Sequence, residues 1–153
     1  MADVTIRRAR DSDLHQLIAI FAADDVGGHG DTTEEVAFED YLRAFYAIDA
    51  SQNEQLFVAE FGGEVVGTFQ IIFNRTLTAR GSLSMIIEAV QTRADMRGRG
   101  IGARMVAYAV EEAKRRDCRL VQLTSNMART DAHRFYERLG FAKSHFGFKM
   151  KLK

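Results

Sequence analysis

The stretch Arg97-Gly98-Arg99-Gly100-Ile101-Gly102 carries the clearest chemistry in the chain, standing between an apolar β-like run and a long helical pattern. The first N–H groups of a helix have no intrahelical acceptor, and the helix dipole adds partial positive charge there. Glycines at 98, 100 and 102 remove side chains that would hold a phosphate away from those donors. Arg97 and Arg99 add charge-assisted hydrogen bonds to phosphate oxygens. The chemistry expected is diphosphate binding through backbone amides. Two other phosphate motifs compete. Gly102 is followed by Ala103 and Arg104 rather than Lys-Ser or Lys-Thr, so a Walker loop fails. The dinucleotide pattern is formally met by Gly98, Gly100 and Ala103, with Asp117 as an acid downstream. Such a site ordinarily follows the first strand of a β-α-β unit directly, whereas this one comes mid-chain after a polar linker.

The elements that must position this loop follow from hydrophobic periodicity. Val4 to Arg8 alternates and predicts a strand; Leu14, Leu17, Ile18 and Phe21 fall at helical spacing, with Asp11 or Ser12 as N-cap. Asp24 to Asp31 reads as a loop, and Val36, Tyr41, Leu42, Phe45 and Ile48 predict a second helix ending near Ala50. Gln55–Phe61 and Glu64–Phe73 flank Gly62-Gly63, a hairpin signal; Asn74 to Gly81 reads as a turn and Leu83–Thr92 as a further strand. After the Arg- and Gly-rich loop, a helix runs to about Arg116 with Ile101, Met105, Ala109 and Ala113 on one stripe. Leu120–Thr124 predicts a short strand, Thr130–Leu139 a helix with Gly140 as C-cap, and Phe141–Lys151 one or two closing strands. This is an antiparallel half followed by an α/β crossover half: an α/β (α+β) fold with a mixed, mostly antiparallel central sheet flanked by helices. A chain of 153 residues has room for one such domain, residues 1–153.

Val90-Gln91-Thr92 followed by Arg97-x-x-Gly100-x-Gly102 resembles the acetyl-CoA motif of the GNAT superfamily of N-acetyltransferases. Asn126 with Asp131-Ala132-His133-Arg134-Phe135-Tyr136-Glu137-Arg138-Leu139-Gly140-Phe141 resembles its second motif, and Ile6 to Leu14 its first strand and helix. Thr92 departs from the proline many members carry, which leaves the backbone carbonyls and amides in place. The resemblance implies the GNAT fold, with Val90, Gln91 and Thr92 pairing with the pantetheine arm and Arg97, Gly98, Arg99, Gly100, Ile101 and Gly102 holding the pyrophosphate. It implies that Asn126 contacts the arm near its reactive end and that Phe135 and Arg138 flank the cofactor. It sets Tyr136 by the thioester sulfur, where a phenol can protonate the departing thiolate. An ordinary Tyr pKa of about 10 against ~8.5 for a thiol makes that transfer unfavourable by only ~2 kcal/mol. Taken alone, Tyr136 would be an ordinary aromatic on an amphipathic helix. Glu88, in an otherwise apolar strand, is either the general base or substrate contact, or a carboxylate paired with a basic neighbour. In the family's layout the loop between the first two helices borders the acceptor cleft, so Asp24, Asp25 and His29 are candidate substrate contacts; a solvated surface loop is the competing reading.

Composition bounds the rest. Twenty-one basic and 21 acidic residues balance to a formal charge of +0, which argues against a surface built for nucleic acid or anionic membrane. The opening residues show no signal-peptide core, and the longest apolar run, Leu17–Ala23, falls far short of the roughly 20 residues of a membrane span. A cytoplasmic protein is expected. The lone Cys118 lacks a Cys-His motif and reads as structural, and His15, His29, His133 and His145 lack metal-ligand spacing, so no metal is expected. The alternating end of the chain leaves Phe146 and Phe148 on one apolar face, and the resemblance implies pairing through such an element, so a homodimer is expected. The expected activity is acetyl transfer from acetyl-CoA directly to a primary amine of a small molecule. The alternative is a non-catalytic acetyl-CoA-binding or regulatory module of the same fold.

Overall fold

A computed structural model of the chain describes residues 3–24, 26 and 29–153. In chain order the elements are β1 (Thr5–Arg8), α1 (Leu14–Ala22), α2 (Phe38–Ala50), β2 (Glu54–Phe61), β3 (Glu64–Arg75), β4 (Leu83–Thr92), α3 (Ile101–Arg115), β5 (Leu120–Gln122) and α4 (Thr130–Arg138). The sheet runs β1-β2-β3-β4-β5; the first three pairings are antiparallel and β4–β5 is parallel. The mixed, mostly antiparallel sheet expected from the sequence is therefore observed, with the crossover helix α3 joining the two parallel strands.

Strand alternation divides the interior into two layers. Phe57, Ala59, Val66, Phe69, Ile71, Met85 and Ile87 pack with Ile101, Met105 and Ala109 of α3 on one face. Val58 and Val65 pack with Leu14, Leu17 and Ile18 of α1 and Phe45 of α2 on the other. Burial on both faces explains why the strands read as near-continuous apolar runs. A part-buried ion pair fastens β1 to the start of α1: Arg7 donates to both oxygens of Asp13 at 2.8 and 2.9 Å, and to Glu60 at 3.3 Å. Asp13 Oδ2 also accepts the Arg10 N–H at 2.8 Å, so the capping acid is Asp13 rather than Asp11 or Ser12. Burial pushes the Asp13 carboxyl up, but the Arg7 guanidinium and Arg10 amide outweigh it and hold the group below its ordinary value.

Two further expectations are corrected. β3 continues to Arg75, so the turn before β4 is confined to a tight bend over Thr78–Gly81, in which Ala79 and Arg80 take left-handed conformations at φ 51° and 61°. The closing strands expected over Phe141–Lys151 are not strands: among the described residues the sheet ends at β5, and 141–153 belongs to no ladder. An alternating pattern encodes a face, but a strand also needs an edge to bond with, and within one chain this segment finds none. Among the described residues no helix is long and apolar enough to cross a membrane.

Candidate active site

The site grows from a mismatch in length between β4 and β5. β4 has ten residues, but it pairs with β5 only at Ser84↔Leu120, Met85↔Val121 and Ile86↔Gln122. From Ile87 to Thr92 its β5-facing edge has no strand partner among the described residues, so the two parallel strands splay. That edge is open to a guest that bonds like a strand. On the opposite edge the β3–β4 register slips between Thr68↔Gln91 and Gln70↔Glu88, leaving Ala89 and Val90 opposite the single residue Phe69. Ala89 sits at φ 52°, a left-handed conformation rare for a residue with a Cβ, and such bulges re-aim backbone groups. Glu88 lies exposed just before the bulge, Val90 is half-buried against the main core, and Thr92 O accepts the Arg97 Nε–H at 3.4 Å.

Past β4 the chain turns through Arg97–Gly100, all exposed, into α3. Gly100 caps the helix at φ 81° and Gly98 stands at φ 77°; a Cβ on Gly98 would meet nothing within 4 Å, so the space over the loop is open. The amides of Ile101, Gly102 and Ala103 begin the helix without intrahelical acceptors. This loop fits the diphosphate of a coenzyme. Of the neighbouring arginines, Arg93 is committed to Asp95 and Glu64, and Arg104 to the Val4 carbonyl at 2.8 Å, while Arg99 and the Nη groups of Arg97, whose Nε holds Thr92 O, can face a ligand. Gly102 has a different local reason: a Cβ there would lie 3.2 Å from Phe135 Cζ, so its absence seats the Phe135 ring and packs α4 against the start of α3.

On α4, Tyr136 is half-buried in an aromatic cluster, edge-on to Phe135 at 5.2 Å and to Phe141 at 5.9 Å. Its hydroxyl makes no hydrogen bond among the described residues. Burial raises the phenol above its ordinary pKa, and the charge of Arg129 pulls it partly back, so the group stays protonated at neutral pH. Arg138, two residues on, is exposed. Asn126 uses its Oδ1 on the Ala128 N–H at 2.9 Å and its carbonyl on the Arg129 N–H at 3.0 Å, so it shapes the turn into α4.

Arg129 escaped the sequence reading. Its Nη2 donates to Asp24 Oδ1 and Oδ2 at 3.0 and 2.7 Å, and Gln91 Nε2 donates to Asp24 Oδ2 at 3.2 Å. One carboxylate, its side chain only 10% exposed, thus ties the loop after α1 to the end of β4 and the start of α4. A signal existed in retrospect: Arg129, His133 and Tyr136 share one face of α4 by helical spacing. His29 is exposed in the same loop, and Asp25 lies outside the described residues. Burial pushes the Cys118 thiol up, which keeps it a poor nucleophile. Among the described residues no group of three or more His, Cys, Asp or Glu could hold a metal ion.

A sheet splayed between two parallel strands, opening onto a glycine-lined helix start, is the architecture of an acyltransferase. The profile of the Acetyltransferase (GNAT) family matches residues 14–141, and the chain belongs to that family. It is 35% identical over 114 residues to an aminoalkylphosphonate N-acetyltransferase of Salmonella typhimurium (strain LT2), spanning 74% of this chain and 73% of that protein. Its structure is similar to a transcriptional regulator from Bacillus halodurans C-125, at a TM-score of 0.93 and 44% identity over 97% of this chain and 99% of that one. A glucosamine-6-phosphate N-acetyltransferase from Arabidopsis thaliana matches at a TM-score of 0.81 and 20% identity over 98% and 99% of the two chains, a likeness of fold alone.

Proposed function

We propose that this chain, acting as one domain, transfers the acetyl group of acetyl-CoA directly to the primary amine of a small molecule. The observation that carries the proposal is the free edge of β4 beyond Ile86, which leads straight to the open loop at Arg97–Gly100. Acetyl-CoA supplies an activated thioester; the chain binds, orients and moves protons. Backbone groups of Val90, Gln91 and Thr92 bond the pantetheine arm, and Arg97, Gly98, Arg99, Gly100, Ile101 and Gly102 hold the pyrophosphate through amides and two guanidinium groups. A bulge amide near Val90 faces the thioester oxygen as negative charge develops on it. Asn126, Phe135 and Arg138 border the coenzyme on the α4 side. Tyr136 donates the proton that the departing thiolate needs, and Glu88 receives one from the acceptor's ammonium, directly or through water.

On the acceptor side, His29 and the loop acids Asp24 and Asp25 border the cleft. The Asp24 carboxylate already holds Arg129 and Gln91, so its part is to shape the cleft, with attraction of a cationic amine left to its neighbours. The Salmonella relative's name adds aminoalkylphosphonates to the acceptors worth testing. We place the protein in the cytoplasm, as a homodimer, with no metal, nucleic acid or membrane in its reaction. The test is thiol release from acetyl-CoA across a panel of amines that includes aminoalkylphosphonates and polyamines. At least one amine should accelerate release with saturable kinetics. The description of the Bacillus halodurans neighbour as a transcriptional regulator favours the second reading, a regulatory module that binds the coenzyme without consuming it. Tight acetyl-CoA binding with no amine-dependent release would decide for that reading.

A further inference from the structure

The guanidinium of Arg129 is anchored but not fully used. It gives Asp24 a single nitrogen, Nη2, at 3.0 and 2.7 Å, and among the described residues its Nε and Nη1 have no hydrogen-bond partner. A guanidinium carries five N–H donors in a plane that matches the oxygens of a carboxylate or phosphonate. Of the two side chains, Asp24 is the covered half of the pair, and Arg129, 34% exposed, is the half that reaches solvent. The backbone beneath it is fixed. Its N–H donates to the Asn126 carbonyl at 3.0 Å, and its own carbonyl accepts the His133 N–H at 3.1 Å. His133 Nε2 closes the same turn on the Asn126 carbonyl at 2.9 Å. Other arginines nearby are engaged: Arg134 holds Asp131 at 2.8 Å, and Arg93 holds Asp95 and Glu64.

We propose that Arg129 receives an acidic group of the acceptor, so that the acceptors of this chain are primary amines bearing a carboxylate or phosphonate a few carbons away. The inference rests on the acetyl-transfer reading and names the acceptor class for that site. Position carries it. Asp24 also accepts the Gln91 Nε2–H at 3.2 Å, which sets the Arg129 guanidinium beside the end of β4, one residue from Val90. Tyr136 stands seven positions along the same face, about 10 Å along the helix axis. The Arg129 charge is felt at the Tyr136 hydroxyl, so the two groups look onto one space. A short zwitterion spans that interval: with its acid on Arg129, its amine lies near the thioester that Tyr136 serves. Asp24 is then a positioning residue, which fixes Nη2 and turns the remaining donors outward. A largely buried ion pair adds little to stability once desolvation is subtracted, so a charged ligand accounts for its place better than folding does. A receptor fixed in advance also loses little freedom when the ligand arrives.

The experiment measures thiol release from acetyl-CoA with 2-aminoethylphosphonate, β-alanine and propylamine, which carry a phosphonate, a carboxylate or a methyl group on the same aminoethyl chain. In the wild type at least one of the two acids should exceed propylamine in kcat/KM by about tenfold or more, the scale of one charge-assisted hydrogen bond; the larger of the two ratios says which acid the site takes. Arg129→Gln should lower that ratio at least about tenfold. Any general loss of stability or of proton transfer at Tyr136 moves all three amines together and cancels in the ratio. Arg129→Lys keeps the charge without the planar fork; it should lower the ratio by at least about threefold, and it carries the comparison if the Gln variant does not fold. A wild-type ratio near one, or a ratio that the substitutions leave unchanged, overturns the receptor while acetyl transfer stands. Turnover of some other amine with both acids inert overturns it equally. If no amine at all drives release, the acetyl-transfer reading fails, and calorimetry with ethylphosphonate on the coenzyme-loaded chain reads the receptor alone. Binding at least about tenfold weaker in Arg129→Gln keeps the receptor, and equal binding or none overturns it.

Discussion

Asp24→Asn keeps the shape of the side chain that joins three parts of the site and removes its charge. The size of the effect follows from burial. Breaking a fully buried ion pair costs 3–5 kcal/mol, whereas an exposed pair is worth at most about 1 kcal/mol. Asp24 is nearly covered, but the Arg129 side chain is 34% exposed and can turn toward water once unpaired. A loss of about 1–2 kcal/mol is expected, a fall in Tm of roughly 3–6 °C for a chain of this size. Arg129→Gln should cost a similar amount, and the double variant little more, so a denaturation cycle should give a coupling of about 1 kcal/mol. There is also a kinetic signature. With Asp24 neutral, the Arg129 charge acts on Tyr136 uncompensated and lowers the phenol pKa, so the alkaline limb of kcat should move to lower pH. If Asp24 instead binds the acceptor's ammonium, Asp24→Asn raises KM for the amine alone and leaves the limb in place. Additive stabilities within ~0.5 kcal/mol together with that KM change would refute the clamp.

Tyr136→Phe should lower kcat by roughly 10²–10⁴ with little change in coenzyme affinity, because the aromatic packing remains and only the proton is lost; steady-state kinetics with calorimetry of coenzyme binding checks both halves. Arg97→Gln/Arg99→Gln should weaken acetyl-CoA at least tenfold by calorimetry without lowering Tm, since both side chains are exposed and the amides remain. Asp13→Asn should destabilise by about 3 kcal/mol at pH 7, because it leaves Arg7 with half its partners. The Asp13 pKa is depressed in the folded state, so its contribution is fully present above the unfolded value of about 3.9 and fades as pH falls through the lower folded value. The gap between variant and wild type in a urea titration should therefore close below pH 4.

Much of the fold was legible because both sheet faces are buried. β4 is Leu83–Thr92 in the structure, the run its apolar residues predicted, and the hairpin turns at Gly62-Gly63. The glycine-rich entry to α3 was legible for the same local reason, since backbone conformation and phosphate access both demand residues without side chains there. What stayed hidden is long-range or unfavourable to its own residue type. Arg129 meets Asp24 across 105 positions, and no local spacing reports that contact. Ala89 takes a conformation alanine normally avoids, so the bulge that re-aims β4 left no mark on the sequence. The spacing of Gly102 points to phosphate, yet the side chain that a Cβ there would meet first is the Phe135 ring. The alternation after Phe141 reads as strand, yet among the described residues that segment joins no ladder, because alternation marks a face and not the edge a strand must bond to.

A single-turnover experiment with enzyme in excess over acetyl-labelled acetyl-CoA, quenched in the presence of the best amine, follows the acetyl group itself. Direct transfer predicts that label leaves the coenzyme and appears on the amine in one phase, with none on the protein at any time. Label that stays on the coenzyme, or that accumulates on Cys118 before reaching the amine, would contradict the account.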